Sequence, residues 1–284
     1  MFEVVSNDTL APNLHRMVVR APRIAAARKA GQFVIVRADR GEERIPLTIG
    51  DADPAKGTIT LFVQAIGAST RRIVSTPAGG ALRDVAGPLG QPTHIENFGR
   101  VACVGGGVGT AVLYPLAKAL AAAGSEVTTI IGGRSSQYII LGDELAALSK
   151  ELLITTEDGS MGRQGFVTAE LADLIADPAR APRLVLAVGP VPMMRAVAEL
   201  TRPHAIETLV SLNPIMIDGT GMCGGCRVVI DGESKFACVD GPEFDGHKVD
   251  FAGLSDRLTT YRSFEEQARC AAEECRLLKE VANG

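Results

Sequence analysis

Residues 100–123 constrain the fold of this chain most. An apolar, β-rich run at 100–104 leads into Gly105, Gly106, Gly107, Val108, Gly109 and Thr110, then into an Ala- and Leu-rich stretch ending at Ala123. Strand, glycine loop and a helix apolar nearly all round is the layout of a βα unit buried against a sheet. Glycines allow phosphate to approach the backbone, and a helix N-terminus favours an anion. The spacing departs from the usual dinucleotide fingerprint, so the loop by itself also reads as a tight structural turn. Pro115 lies early in the helix and removes a hydrogen bond unless it falls in the first turns.

The alternation continues with strands at 126–131, 152–156 and 184–188 and helices at 143–150 and 167–176. This predicts a doubly wound parallel α/β domain over 98–210. Ligands of such sheets sit at the carboxyl ends of the strands. Three turns fall there: the Gly105 loop, residues 157–160 (Glu-Asp-Gly-Ser), and residues 189–194 with Gly189, Pro190 and Met193. After the second strand comes Gly-Gly-Arg134-Ser-Ser, without an acidic residue for a ribose 2′-hydroxyl; Arg beside Ser suits a 2′-phosphate.

Residues 1–97 hold short alternating runs at 2–5, 15–20, 32–37, 44–49 and 58–65, separated by Pro, Gly and Asp-Pro turns. They predict an N-terminal antiparallel β-barrel, with a short helix at 69–76 and a tight turn at 87–90. Within the barrel, Arg44, Pro46, Leu47 and Thr48 could hold a diphosphate and hydrogen-bond a flat ring; the competing reading is an exposed Arg beside an edge-strand Pro.

Residues 213–241 carry Cys223, Cys226 and Cys238, three of the six cysteines, in the pattern Asp218-x4-Cys-x2-Cys-x11-Cys. Thiolates in a Gly-rich loop select zinc or iron–sulfur clusters. Plant-type [2Fe-2S] centres use Cys-x4-Cys-x2-Cys with a distant fourth Cys, which fits if Asp218 takes the first position. Glycines 219, 221, 224 and 225 let the backbone wrap a cluster and aim N–H groups at its sulfurs. A zinc site with Asp218 or His247 as fourth ligand, and a disulfide leaving one cysteine odd, remain open. Residues 211–250 form this metal-binding region and 251–284 a C-terminal helical segment. There Ser263 to Glu266 reads as a capping box, and Phe264, Ala268, Ala271, Cys275 and Leu278 form a seam at heptad spacing.

Net charge of −4 gives no reason to expect a nucleic-acid partner. No apolar run approaches the ~18 residues of a membrane span. The N-terminus shows no secretory signal, and reduced cysteines are expected in a cytoplasm. Trp is absent and aromatics are 4%, against a carbohydrate or stacking platform.

Barrel, nucleotide domain and cysteine loop in this order resemble the ferredoxin–NADP reductase superfamily, and within it the branch of dihydroorotate dehydrogenase electron-transfer subunits. RIPLTI at 44–49, GGGVGTA at 105–111, TEDGSMGRQGFVT at 156–168, VGPVPMM at 188–194 and DGTGMCGGCR at 218–227 carry the resemblance. Asp218 departs from the all-cysteine ligand set of the dihydroorotate dehydrogenase subunits and is similar to the small subunits of the NADH-dependent reduced ferredoxin:NADP oxidoreductase type. The resemblance implies FAD at Arg44, Pro46, Leu47 and Thr48, with further contacts from Gln64, Gly67, Thr70, Gly87 and Gly90. It implies NAD(H), rather than the NADP(H) that Arg134 suits, at Gly105, Gly106, Gly107, Gly109 and Thr110, and a [2Fe-2S] cluster on Asp218, Cys223, Cys226 and Cys238. No catalytic side chain is expected, because the cofactors carry the chemistry. The implied partner is a larger flavin and iron–sulfur subunit, with ferredoxin reached indirectly.

Overall fold

The computed structural model describes residues 1–267 and 270. The barrel opens with β1 (Phe2–Ala11) and β2 (Leu14–Arg20), a hairpin turned by Asn13 at φ 58. Polar Ser6 to Thr9 hides the outer half of β1 from a periodicity reading, but bulges at both ends let that half follow the twist. Next come α1 (Pro22–Ala27), β3 (Phe33–Arg37), β4 (Ile45–Asp53), β5 (Thr58–Gln64), α2 (Ala68–Val74), β6 (Ala81–Leu82) and β7 (Asp84–Leu89). Their order in the sheet is β6-β1-β2-β5-β4-β3-β7, antiparallel throughout. Val4, Met17, Val34, Ile59 and Leu61 fill the inside with no exposed surface.

The tight turn expected at 87–90 is instead largely strand. Residues 84–89 form β7 and pair with β3, with a register shift between Phe33 and Ile35. That irregularity accommodates Gly87 and Pro88, which an unbroken ladder would not.

The second sheet is built from β8 (Arg100–Gly106), α3 (Gly109–Ala122), β9 (Glu126–Gly133), α4 (Gly142–Ala146), β10 (Glu151–Thr156), β11 (Arg163–Gln164), α5 (Val167–Ala176), β12 (Leu184–Val188), α6 (Val191–Thr201) and β13 (Glu207–Ser211). These strands run parallel, with α3 and α4 packed on one face and α5 and α6 on the other, as doubly wound sheets require. Helix α4 stops short of the expected 150 and starts from Leu141 at φ 57. Pro115 sits mid-helix in α3.

The cysteine segment supplies a hairpin, β14 (Arg227–Ile230) and β15 (Glu233–Phe236), turned by Asp231 and Gly232 at φ 52 and 77. Asp-Gly between alternating residues is a strong hairpin signal. Its next strand, β16 (Glu243–Asp245), pairs antiparallel with β13, so the segment completes the nucleotide sheet. Helix α7 (Phe251–Leu258) follows, N-capped by Asp250. Ser263 lies inside a helical turn rather than at its cap, with the Glu265 N–H bonded to the Tyr261 carbonyl. Of the heptad seam only Phe264 falls among the described residues; Ala268, Ala271, Cys275 and Leu278 lie outside them. No helix among the described residues is long and apolar enough to cross a membrane.

Candidate functional site

Three ligand-competent regions meet around the junction of the two sheets. The first is the outer half of β4. Residues 45–48 pair with β3, whereas pairing with β5 begins only at Ile49. Pro46, which has no N–H to donate, thus lies where β4 is paired on one side only. Arg44 is exposed at the head of this open edge, and Pro46, Leu47 and Thr48 are half-buried along it. The Ser69 hydroxyl donates to Glu43, tying the approach to Arg44 onto α2. Gly67 caps α2 through its N–H to Thr70 Oγ1 at 3.1 Å, and Gln64 ends the neighbouring β5. Gly87 and Gly90 lie along the other side of β3: a Cβ on Gly87 would meet Val34, and one on Gly90 would meet Phe33. The predicted flavin residues therefore flank β3 and β4.

The second region is the carboxyl edge of the parallel sheet. Gly105 pairs with Val188, so the ends of β8 and β12 are side by side. Gly107 adopts φ 54, and its N–H bonds the Gly132 carbonyl at 2.8 Å. A Cβ on Gly109 would stand 2.6 Å from Gly189 Cα, and one on Gly189 would stand 2.8 Å from Met193 Cε and 3.2 Å from Gly106 Cα. Only glycine permits two strand-end turns to approach so closely. Thr110 is buried beneath the loop, and Pro190 leads into α6. Arg134 is exposed one turn away, its carbonyl bonded by the Asp158 N–H at 3.2 Å. The Ser160 hydroxyl and N–H hold the Asp158 carboxyl below its usual range.

The third region is the cysteine loop. Asp218 Oδ1 accepts the Thr220 N–H at 2.8 Å and Oδ2 accepts the Cys223 N–H at 2.7 Å. These bonds hold its carboxyl below the usual carboxylate range. The Gly225 N–H points at Cys223 Sγ, and the Cys238 N–H points at Cys226 Sγ, each at 3.4 Å. Cys226 and Cys238 are buried, whereas Cys223 is exposed. Burial, then the adjoining Cys226 thiol, push Cys238 up to about 12. A thiolate there needs a cation, which a bound metal supplies. Among the described residues no three His, Cys, Asp or Glu side chains converge into a finished metal set. The donor types and the N–H groups aimed at sulfur nevertheless fit an iron–sulfur cluster. His247, the alternative zinc ligand, is engaged by Thr201 Oγ1 at 2.9 Å, and the described cysteines are free thiols.

Packing joins the first and third regions. Phe33 and Ile35 of the barrel belong to the same buried cluster as Cys226 and Cys238. A Cβ on Gly219 would stand 2.8 Å from Leu89 and 2.9 Å from Ile35, so the loop lies directly on β3 and β7. The Gln91 N–H bonds the Gly241 carbonyl at 2.7 Å, and its side-chain amide bonds the Val239 carbonyl at 2.8 Å. The sequence reading missed Gln91 and Glu243, which bond between the end of the barrel segment and the cysteine segment, and Arg257, which donates to the Gly225 carbonyl of the cysteine loop. None stands in a motif, and no sequence signal separates them from other polar residues.

Two families match. The "Iron-sulfur cluster binding domain of dihydroorotate dehydrogenase B" covers residues 213–250, and the "Oxidoreductase NAD-binding domain" covers 103–199. The electron transfer subunit homolog of dihydroorotate dehydrogenase B (NAD(+)) from Thermotoga maritima is 43% identical over 264 residues, 93% of each chain. The corresponding subunit of Shouchella clausii is 32% identical, over 85% of this chain and 94% of that one. Among solved structures, a chain of the NADH-dependent reduced ferredoxin-NADP oxidoreductase, described for flavin-based electron bifurcation, superposes with a TM-score of 0.90 at 42% identity, covering 98% of both chains.

Proposed function

Since the chain belongs to the family of dihydroorotate dehydrogenase B electron-transfer subunits, we propose that its own task is to carry electrons from NAD(H) through FAD to a [2Fe-2S] cluster and on to a larger flavin and iron–sulfur subunit, with ferredoxin reached through that partner. One observation carries this reading: the cysteine loop is packed on the barrel strands that flank the flavin residues, through Gly219, Ile35 and Leu89. Two redox groups held there would be separated by protein and not by water.

When bound, the cofactors supply the chemistry: a flavin takes an electron pair as hydride and gives electrons up singly, and a cluster carries one at a time. The chain positions them. The N-terminus of α3 and the Gly105–Gly109 backbone would hold a pyrophosphate. Gly106, Gly189, Pro190 and Met193 would direct the nicotinamide end. Arg44 would pair with the flavin diphosphate, and Pro46, Leu47 and Thr48 would offer the open edge of β4 to its ring, with Gln64, Gly67, Thr70, Gly87 and Gly90 around it. Asp218, Cys223, Cys226 and Cys238 would ligate iron, drawing in exposed Cys223. We assign NAD(H) over NADP(H) because the curated relatives carry NAD(+) in their names, although exposed Arg134 suits a 2′-phosphate. Asp218 in place of a fourth cysteine favours a transhydrogenase-type complex over a pyrimidine-pathway one. We place the reaction in the cytoplasm, in keeping with free thiols.

The test is an absorption and EPR spectrum of the full chain purified without oxygen, with flavin and iron quantified. Flavin together with a reduced [2Fe-2S] signal is expected. A colourless protein with stoichiometric zinc would overturn the reading.

A further inference from the structure

Helix α7 leans on the outer side of the cysteine loop. Phe251 and Leu254 anchor it in the same buried cluster as Cys226 and Cys238. Its last turn carries Arg257, half-buried, whose Nη2 donates to the Gly225 carbonyl at 3.0 Å. Gly225 stands between Cys223 and Cys226 in the chain. Arg257 also lines a cavity of about 180 Å³ together with Pro214, Ile215, Ile217, Gly225 and Leu254. The walls mix apolar side chains with Thr260, Tyr261 and the Gly225 backbone, and the Arg257 side chain is half-buried among them. Among the described residues no carboxylate lies within ion-pair distance of it, unlike the Arg28, Arg37, Arg163 and Arg180 side chains, which each face one.

The half-buried Arg257 guanidinium keeps its charge with no carboxylate in ion-pair contact among the described residues, so it is free to act on negative charge in the adjoining cysteine loop. Three thiolates and one carboxylate on iron would supply such charge. Resting on the cluster reading above, we propose that Arg257 is a positioning residue that fixes the Gly225 turn and, by its permanent charge, favours the reduced state of the iron–sulfur site. When one electron arrives from a reduced flavin, or from dithionite in a titration, the site gains one negative charge. No bond forms or breaks at Arg257, and no proton moves on it. A cation close by stabilises that extra charge, and net charge is one of the factors that set such potentials.

Three variants of the full chain separate the two roles. Arg257→Gln removes the charge and leaves a neutral amide donor on a shorter side chain, and its iron content shows whether the turn is kept. Arg257→Lys keeps the charge, and Arg257→Leu removes both. Iron is quantified first, and the one-electron potential is then read by EPR-monitored titration at low and high salt. Arg257→Gln should retain iron and flavin but shift the reduction equilibrium about three- to tenfold toward the oxidised state. High salt should shrink that shift, because the guanidinium is only half-buried. Arg257→Lys should restore most of it, and Arg257→Leu should lose iron as well. An iron-loaded Arg257→Gln with an unchanged potential overturns this inference and leaves the cluster reading standing. A wild-type chain without iron overturns both.

Discussion

Glu243 is clamped between hydroxyls from two parts of the chain: Thr93 after the barrel, at 2.9 Å, and Ser211 at the end of β13, at 3.3 Å. Burial pushes its carboxyl from the ordinary 4.5 up to about 7. The folded protein therefore holds this proton over a range where the unfolded chain has released it. Its contribution is complete below about pH 4.5 and is lost as pH rises through about 7, costing roughly 3 kcal/mol. Glu243→Gln should flatten the loss between pH 5 and pH 8 in urea melts; equal slopes for both proteins would refute the assignment. Asp218 is the reverse case, a carboxylate held ionised by two loop N–H groups. Asp218→Ala removes both the proposed ligand and the bonds that shape its turn, and should yield protein with flavin but little iron. Asp218→Cys should keep a cluster at a different potential. Iron content unchanged in Asp218→Ala would remove Asp218 from the ligand set.

At the scale of elements, the contact between the cysteine loop and β3–β7 depends on Gly219. It adopts φ 74, and an added Cβ would press on Leu89 and Ile35. Gly219→Ala should destabilise the protein by about 1–3 kcal/mol and raise hydrogen exchange in 213–226 before it affects the central strands of the parallel sheet. Protection lost evenly over both sheets would show that the loop is not a separable unit. Helix α3 presents a different case. Pro115 removes one backbone bond, yet Leu113, Leu116 and Leu120 are fully buried beside it, and each such side chain contributes about 1.5–3 kcal/mol by burial. Packing outweighs the missing bond, so the helix continues to Ala122.

Across the whole molecule, the barrel and the parallel sheet are joined by polar contacts as well as apolar ones. Asp51 of β4, which Arg28 of the same barrel meets at 3.2 Å, reaches Lys118 of α3 at 2.8 Å, and Arg16 of β2 meets Glu144 of α4 at 2.6 Å. These groups are partly exposed, so water and salt screen them. Asp51→Asn should change stability by no more than about 1 kcal/mol in denaturant melts, with the difference shrinking in high salt. A larger and salt-independent loss would mean that the pair, rather than the apolar seam, holds the two units together.

Local chemistry was enough to read much of this chain. Strand, glycine loop and helix at 100–123 specify a βα unit by themselves, because hydrophobic period and backbone freedom are properties of neighbouring residues. The strand at 184–188, the helix at 167–176 and the Asp-x4-Cys-x2-Cys spacing are local in the same sense. What lay beyond reach depends on partners distant in sequence. Residues 84–89 become a strand only because β3 offers a register irregularity that admits Gly87 and Pro88. Residues 243–245 become a sheet edge only because β13 is there to pair with them. Gly219, Glu243 and Arg257 acquire their roles from contacts with Ile35, Thr93 and Gly225. A buried acid and an exposed one are the same letter in a sequence; the difference in water and neighbours around them is made only by the closed fold.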